Sequence, residues 1–222
     1  MEMENLNQLS LEDIVLRLRQ SDPHTILYAP FDLDSSKHCR EAAVLIPLLR
    51  IGGEWHLLYI RRSTSPHDRH SGQVAFAGGK REANDRSLID TALREAEEEI
   101  GLMRQDVQVL GQLENHYSVS LFNITPVIAT VNWPYHLRLQ EAEVSRAFTM
   151  PLQWLAVPDN HEIRYLERQG KRIPVAYFRE YDGELLWGAT ARMTLSLTQI
   201  LARSTHTTRA DYGTNHRIRQ GV

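Results

Sequence analysis

The sequence predicts an α+β domain, in which strands and helices follow one another without regular alternation. Segments with strand patterning and segments with helical periodicity occur in a mixed order along the chain, and several strand segments are separated by glycine-containing turn signals. The chain shows no internal repeat, and its 222 residues are enough for one domain with extensions.

The first predicted element is an N-terminal helix in the stretch LSLEDIVLRLRQS. Its apolar residues recur at helical spacing, at Leu11, Ile14 and Leu18, and Ser10 is a suitable N-cap. The stretch PFDLDSSKHCR then predicts a loop. AAVLIPLLRIGGEWHLLYIRRS predicts two strands that form a hairpin around Gly52 and Gly53.

The central part of the chain predicts a helix between strands. GQVAFAGG favours one short strand that ends in a glycine pair, and RSLIDTALREAEEEI favours a helix closed by Gly101. VQVLGQLENHYS and NITPVIATVNW have strand patterns, whereas EAEVSRAFTMPLQWLA combines a strand with a short helix.

The C-terminal part predicts aromatic-rich strands, a last helix and a tail. Turn signals lie at Gln169-Gly170 and Asp182-Gly183, and ATARMTLSLTQILARS has a helical apolar face. The tail THTTRADYGTNHRIRQGV has no period, so we expect it to be disordered. We therefore expect an N-terminal helix and loop at 1–35, a main domain at 36–203 and a disordered tail at 204–222.

Composition excludes several classes of function. The net charge of −3 does not favour nucleic acid as a main partner, and the single Cys39 allows neither a disulfide framework nor a cysteine-based zinc site. No run approaches the roughly 20 apolar residues of a membrane span. The start MEMENLNQLS is unlike a secretory signal. We expect a cytoplasmic protein that binds neither nucleic acid nor membrane.

The stretch EAEEE, residues 95–99, places four glutamates within five helical positions. Like charges at this spacing cost a few tenths of a kcal/mol per pair. On a wheel at about 100° per residue, Glu95, Glu98 and Glu99 are expected beside the apolar stripe. Such a carboxylate cluster suits magnesium, which would also remove the repulsion. EAEEE alone is more typical of a solvated face than of a metal site, but the preceding glycine pair, Arg94 and Gly101 reverse this preference.

The stretch resembles the Nudix box, which has a glycine, an acidic residue and then Arg-Glu-apolar-x-Glu-Glu-x-Gly-apolar. The matching residues are Gly79, Asp85, Arg94, Glu95, Ala96, Glu98, Glu99, Gly101 and Leu102. Two features depart from the common pattern: the first acidic position is aspartate, and the gap between Asp85 and Arg94 is one residue longer. The longer gap is similar to that of the coenzyme A diphosphatase branch of the family.

A second stretch, LYIRRSTSPHDRHSGQVAFAGG, resembles the segment that this branch carries before the box. The matching residues are Arg62, Ser63, Gly72, Gln73, Val74, Ala75, Phe76, Gly78 and Gly79, whereas Ala77 replaces the usual proline. EVSRAFTMPL and WGATAR resemble later segments of the branch, so the resemblance covers roughly residues 42–202.

The resemblance implies a Nudix hydrolase domain with an αβα sandwich and a mixed sheet. In the family, the glutamates that correspond to Glu95, Glu98 and Glu99 bind magnesium or manganese, and Arg94 orients them. We expect Glu95 or Glu98 to be the general base, without choosing between them. Glu143 is either a further metal ligand or base, or a solvated surface residue.

The resemblance also implies the substrate. We expect Arg62, Arg69, His70, Gly78 and Gly79 to contact a small nucleotide substrate. The favoured substrate is coenzyme A or acyl-coenzyme A, cleaved to 3′,5′-ADP and a 4′-phosphopantetheine compound. The alternatives are a hydrolase of ADP-ribose or another nucleoside diphosphate derivative, and a non-catalytic nucleotide-binding module. The oligomeric state is open, with a homodimer as one expectation.

Overall fold

The computed structural model describes residues 4–21, 39–64, 71–118, 120–168 and 170–202. Within these residues the α-helices are α1 (Leu11–Gln20), α2 (Leu88–Ile100), α3 (Leu152–Ala156) and α4 (Gly188–Leu201). The expected tail and most of the expected loop PFDLDSSKHCR lie outside the described residues. No helix in the described ranges combines the length and the apolar character needed to cross a membrane.

Besides three short 3-10 helices, the described residues also form ten strands. They are β1 (Arg40–Ile51), β2 (Glu54–Arg62), β3 (Val74–Ala75), β4 (Gly78–Lys80), β5 (Val107–Gln112), β6 (His116–Tyr117), β7 (Phe122–Val131), β8 (Val144–Pro151), β9 (His161–Arg168) and β10 (Lys171–Phe178). The hairpin around Gly52 and Gly53 is confirmed as β1–β2, and the last two strands form a separate antiparallel pair. The predicted helices at the N terminus, at the acidic stretch and at the C terminus are likewise confirmed.

The main sheet is mixed, as expected. Its strands lie in the order β3-β2-β1-β7-β5. In addition, β4 pairs with β1, β6 pairs with β7 and β8 pairs with β2. The pair β1–β7 is parallel over ten residue pairs, from Arg40↔Phe122 to Leu49↔Val131. All other pairs in this sheet are antiparallel.

Strands β1 and β2 pair with each other near their hairpin turn and separate beyond it. The segment from β3 to β4 lies between the separated parts. β2 pairs with β1 near the hairpin turn and with β3 further along, whereas β1 pairs with β4 at Ala42–Val44. The stretch GQVAFAGG was therefore wrongly predicted as one strand, because its two halves pair with different neighbours. Phe76 and Ala77 between them are buried, and the N–H of Leu45 donates to the carbonyl of Ala77.

Alternating side chains of the central strands enter two cores, one on each face of the sheet. On β2, Leu57 and Tyr59 belong to the core that contains α4, whereas Leu58 and Ile60 belong to the core that contains α2. This two-sided burial is the period-two pattern of a central strand. Helices thus cover both faces, which confirms the α+β fold with an αβα sandwich.

The N-terminal segment is part of the core that contains α4. Leu6 and Ile14 are fully buried there, and the indole N–H of Trp55 donates to the carbonyl of Leu9 at 2.9 Å. Ser10 and Asp13 form a capping box that starts α1. Removal of this segment would therefore expose apolar surface of the domain that follows.

Candidate active site

Helix α2 is fixed to the sheet by its caps and by its apolar stripe. The hydroxyl of Ser87 accepts from the N–H of Asp90 at 3.1 Å, which satisfies one free amide of the first turn. The apolar stripe of α2 consists of Ala92, Leu93, Ala96 and Ile100, which are buried in the core on that helix's side of the sheet. Gly101 ends the helix at φ +66°, a left-handed conformation that favours glycine.

The three glutamates of α2 that are expected to bind metal differ in burial. The side chain of Glu99 is 3% exposed, that of Glu95 is 16% exposed and that of Glu98 is 59% exposed. The expectation that all three lie at the edge of the core is therefore wrong for Glu98. Adjacent helical residues are about 100° apart, so burial of Glu99 turns Glu98 towards solvent.

The glycine pair of β4 lies directly against the two buried carboxylates. The N–H of Gly78 donates to Oε2 of Glu99 at 2.9 Å. A Cβ added to Gly79 would lie 2.3 Å from Oε1 of Glu95, closer than non-bonded atoms approach. Glycine at position 79 therefore permits the close approach of β4 to the helix.

Arg94 connects the helix to the loop before it. Its guanidinium contacts both oxygens of Asp85, at 3.0 Å through Nε and 3.1 Å through Nη2, and Nη2 also donates to the carbonyl of Lys80 at 3.0 Å. Nη1 lies 3.1 Å from Oε1 of Glu95 and 2.9 Å from Oε2 of Glu98. One arginine thus holds Glu95, Glu98 and the end of β4 in a fixed arrangement.

Asp85, the aspartate at the first acidic position of the box, is buried and fully engaged. It accepts from the N–H of Glu82 at 2.8 Å and from the hydroxyl of Thr91 at 2.9 Å, besides its pair with Arg94. Hydrogen bonding to Arg94 is the main reason that the pKa of Asp85 falls to about 2. The departure from glutamate therefore preserves a charged partner for Arg94.

The buried glutamates have raised pKa values. Burial is the main cause for Glu99, and the nearby carboxylates of Glu95 and Glu143 add to it, so its pKa rises to about 7 although Gly78 and Arg62 stabilise the anion. Burial likewise raises the pKa of Glu95, with further contributions from Glu98 and Glu143. Glu143 thus lies close enough to interact with both carboxylates. Arg62 lies 3.9 Å from Glu99 through Nη1 and Oε1.

This donor set suits a hard divalent cation. Carboxylate oxygens are the usual ligands of magnesium, and buried carboxylates that repel one another are stabilised when a cation neutralises them. In the described ranges, no three His, Cys, Asp or Glu side chains form a ready group that could hold a metal ion. The carboxylate of Glu98 is instead turned to Arg94.

A cavity of about 810 Å³ lies next to the glycine pair. Its basic residues are Arg62, Lys80 and Arg192, and it also contacts Gly78 and Gly79. Three of the five expected substrate contacts therefore line one cavity, whereas Arg69 and His70 lie outside the described residues. Parts of β9 and β10 and the start of α4 also line the cavity, together with residues of β1, β3, β6 and β7.

The cavity also contains residues that the sequence reasoning missed. Lys80 follows the glycine pair directly, and this position was its only available signal. No sequence signal pointed to His116, which reaches the cavity with β6. Burial, assisted by the positive charge of Arg192, lowers the pKa of His116 to about 4, and burial also lowers the pKa of Arg192.

Comparisons with known proteins match the fold and the box. The NUDIX domain model matches residues 40–185. A protein of Photorhabdus laumondii described as an uncharacterized Nudix hydrolase NudL is 37% identical over 191 residues, covering 86% of this chain and 97% of that protein. A protein of the same description from Pectobacterium atrosepticum is 36% identical over 182 residues, covering 82% of this chain and 90% of that protein.

Solved structures give weaker matches. A MutT/nudix family protein from Enterococcus faecalis has a TM-score of 0.47 and 15% identity, covering 88% of this chain and 68% of that chain.

An αβα sandwich in which a glutamate-rich helix packs against a glycine pair is typical of one class of hydrolases. The domain match and the two relatives show that the chain belongs to the Nudix family, as a pyrophosphohydrolase. Nudix hydrolases generally use divalent metal ions.

Proposed function

We propose that the protein hydrolyses the diphosphate of coenzyme A or acyl-coenzyme A to 3′,5′-ADP and a 4′-phosphopantetheine compound. The observation that carries the proposal is the glycine pair Gly78–Gly79. It contacts the carboxylates of Glu95 and Glu99 and also lines the large cavity. A diphosphate seated at the glycine pair would thus be near the carboxylates, with the rest of the substrate in the cavity.

The proposed metal ligands are Glu95, Glu98 and Glu99, with Glu143 as a further candidate. Magnesium or manganese bound there would neutralise the diphosphate charge and lower the pKa of a coordinated water. Glu98 would have to turn from its contact with Arg94, which its exposed position permits. Arg94 orients the carboxylates, as its contacts with Glu95 and Asp85 suggest.

Hydrolysis of the diphosphate breaks one P–O bond and forms another to the water oxygen. A carboxylate of the protein accepts the proton of the water. Glu95 and Glu98 are both candidates for this base. The contact of Glu95 with the cavity-lining Gly79 favours Glu95, whereas Glu98 is exposed and faces Arg94.

The cations of the cavity support an anionic substrate. Arg62, Lys80 and Arg192 all line it, and charge-assisted contacts to phosphate are strong and directional. Coenzyme A differs from ADP-ribose in its 3′-phosphate and its pantetheine arm. We propose that Arg192, Lys80 or both bind the 3′-phosphate, and that Arg69 and His70 add contacts to the diphosphate.

A product assay on a panel of substrates tests the proposal. The panel is coenzyme A, acetyl-coenzyme A, 3′-dephospho-coenzyme A, ADP-ribose, NADH and a dinucleoside polyphosphate, each with magnesium, with manganese and with a chelator. We expect metal-dependent release of 3′,5′-ADP with the highest kcat/KM for the coenzyme A compounds. Preferred cleavage of ADP-ribose would refute the substrate, and no cleavage of any compound would leave a nucleotide-binding module.

A further inference from the structure

We propose that the β9–β10 hairpin and Trp187 bind the acyl chain of an acyl-coenzyme A, so that the enzyme prefers thioesters with an apolar chain to free coenzyme A. This inference rests on the proposed function and assigns the part of the cavity that the nucleotide and the diphosphate do not require. Its specificity residues are Leu166, Ile173, Val175 and Trp187.

The cavity has walls of different chemistry. The cations Arg62 and Lys80 belong to strands of the main sheet and Arg192 belongs to α4, whereas the hairpin contributes mainly apolar side chains. These are Leu166, Ile173, Pro174, Val175 and Ala176. Ligand cavities of a few hundred to about 1,000 Å³ accept whole organic ligands, and the volume of about 810 Å³ falls in this range.

Charge on the hairpin orients the substrate. Glu167 is the one acidic residue that the hairpin contributes to the cavity among the described side chains, and a carboxylate there disfavours a phosphate. Among the described side chains of the hairpin, two cations stack on rings: the guanidinium of Arg164 lies 4.5 Å from the Tyr177 ring centre, and that of Arg172 lies 4.7 Å from the Tyr165 ring centre. The phosphates are therefore expected near Arg62, Lys80 and Arg192, which leaves the hairpin to an uncharged part of the substrate.

The hairpin presents apolar surface that the described part of the chain leaves uncovered. Leu166 is 45% exposed on β9 although it lines the cavity. Ile173, its partner across the hairpin, is 8% exposed, yet it belongs to neither of the two core clusters. β9 and β10 pair with each other and not with the main sheet. An apolar chain laid on this surface would bury Leu166 and extend the contacts of Ile173.

Chain length gives a quantitative expectation. Burial of one methylene contributes about fourfold in affinity. If two or more methylenes of the chain reach the hairpin, octanoyl-coenzyme A should exceed coenzyme A by about tenfold or more in kcat/KM.

The experiment measures kcat/KM for coenzyme A, acetyl-coenzyme A and octanoyl-coenzyme A, and the Kd of each compound in the presence of a chelator. The variants are Leu166→Asp and, as a matched control, Leu185→Asp. Leu185 is 47% exposed, close to the 45% of Leu166, but it does not line the cavity. We expect Leu166→Asp to lower the ratio of octanoyl-coenzyme A to coenzyme A about tenfold, and Leu185→Asp to leave the ratio unchanged.

Several outcomes would overturn the inference. Equal kcat/KM and equal Kd for all three compounds in the natural protein would refute it. An equal loss for all three compounds in Leu166→Asp would instead assign the hairpin to the adenine ring or to structure. If Leu166→Asp does not fold, Leu166→Ala should show a smaller loss of the same ratio. If the protein cleaves no coenzyme A compound, the proposed function fails, and the Kd series alone decides whether the hairpin selects the acyl chain.

Discussion

Asp85 and Arg94 form a two-point ion pair that connects the loop after β4 to helix α2. Nε and Nη2 of Arg94 contact the two carboxylate oxygens of Asp85 at 3.0 and 3.1 Å, and only 5% of the Asp85 side chain is exposed. The same guanidinium contacts Glu95 and Glu98, so the pair determines the position of both glutamates.

Replacement of Asp85 by asparagine should therefore destabilise the fold. The variant keeps the shape but loses the charge that faces Arg94, and a hydrogen bond between charged groups is worth roughly 1.5–3 kcal/mol. Urea unfolding should show a loss of this size. The control is Glu162→Gln, because Glu162 and its partner Arg164 are both exposed and such pairs contribute about 1 kcal/mol or less. Equal effects of the two substitutions would contradict a structural role for Asp85.

Glu99→Gln should abolish most turnover while the fold remains intact. The variant removes one anionic oxygen from the proposed metal ligands, and electrostatic groups of this kind are typically worth about 100-fold or more in rate. Turnover at saturating magnesium and manganese is the measurement. Glu97→Gln on the same helix is the control, since Glu97 is exposed. Near-normal turnover of Glu99→Gln would refute the metal assignment.

The raised pKa of Glu99 predicts that the free energy of unfolding of the metal-free protein depends on pH. Below about pH 4.5 the carboxyl carries a proton in both the folded and the unfolded state. Between 4.5 and the folded value of about 7, only the folded state keeps the proton, so stability falls as the pH rises and the loss is complete above about 7. The loss is on the order of 3 kcal/mol.

Glu99→Gln lacks this loss, so its stability relative to the natural protein should grow from pH 5 to pH 8. Chemical unfolding with a chelator at several pH values checks the difference, and the comparison cancels the titration of the histidines. Parallel stability curves for the two proteins would show that Glu99 is already charged at pH 5. Added manganese at pH 8 should stabilise the natural protein more than the variant.

Gly79→Ala should reduce activity without unfolding the protein. The added Cβ would lie 2.3 Å from Oε1 of Glu95, and a flexible carboxylate can move away where backbone could not. Misplacement of a reacting group by about 1 Å can cost on the order of 100-fold in rate. Gly111→Ala is the matched control, because its Cβ would make an ordinary contact of 3.6 Å with Leu18. Unchanged turnover of Gly79→Ala would show that the position of Glu95 does not matter.

Arg192→Gln should weaken discrimination between coenzyme A and its 3′-dephospho form. In the natural protein one charged contact to the 3′-phosphate is worth roughly 1.5–3 kcal/mol, or about tenfold or more in kcat/KM. The variant should lose most of this ratio, mainly through KM. Arg172→Gln is the control, since Arg172 lies on the hairpin but does not line the cavity. An unchanged ratio in Arg192→Gln would assign the 3′-phosphate to Lys80 or to another cation.

Local patterns predicted much of this structure, and distant contacts explain what they missed. The period of α2 and the terminating Gly101 are encoded within one short stretch, as is the hairpin turn at Gly52 and Gly53. Glu98 is the exception, since its exposure follows from the helix itself: it lies about 100° around the helix from the buried Glu99 and outside the apolar stripe. The meeting of His116 and Arg192 depends on the packing of β6 near α4 and has no local signature.

Because β1 pairs in parallel with β7, the main sheet of the enzyme can form only after β7 has been synthesised. The partners Arg40 and Phe122 are separated by roughly 80 residues, and α2 lies between them in the chain. A nascent chain that has emerged only as far as α2 already contains β1 and β4, against which the helix mainly packs, but the edge of β1 that pairs with β7 is still open. Such a chain depends on chaperones or on rapid elongation to avoid association. The box sequence is therefore translated well before it can become an active site, and a fragment that ends before β7 should not bind substrate.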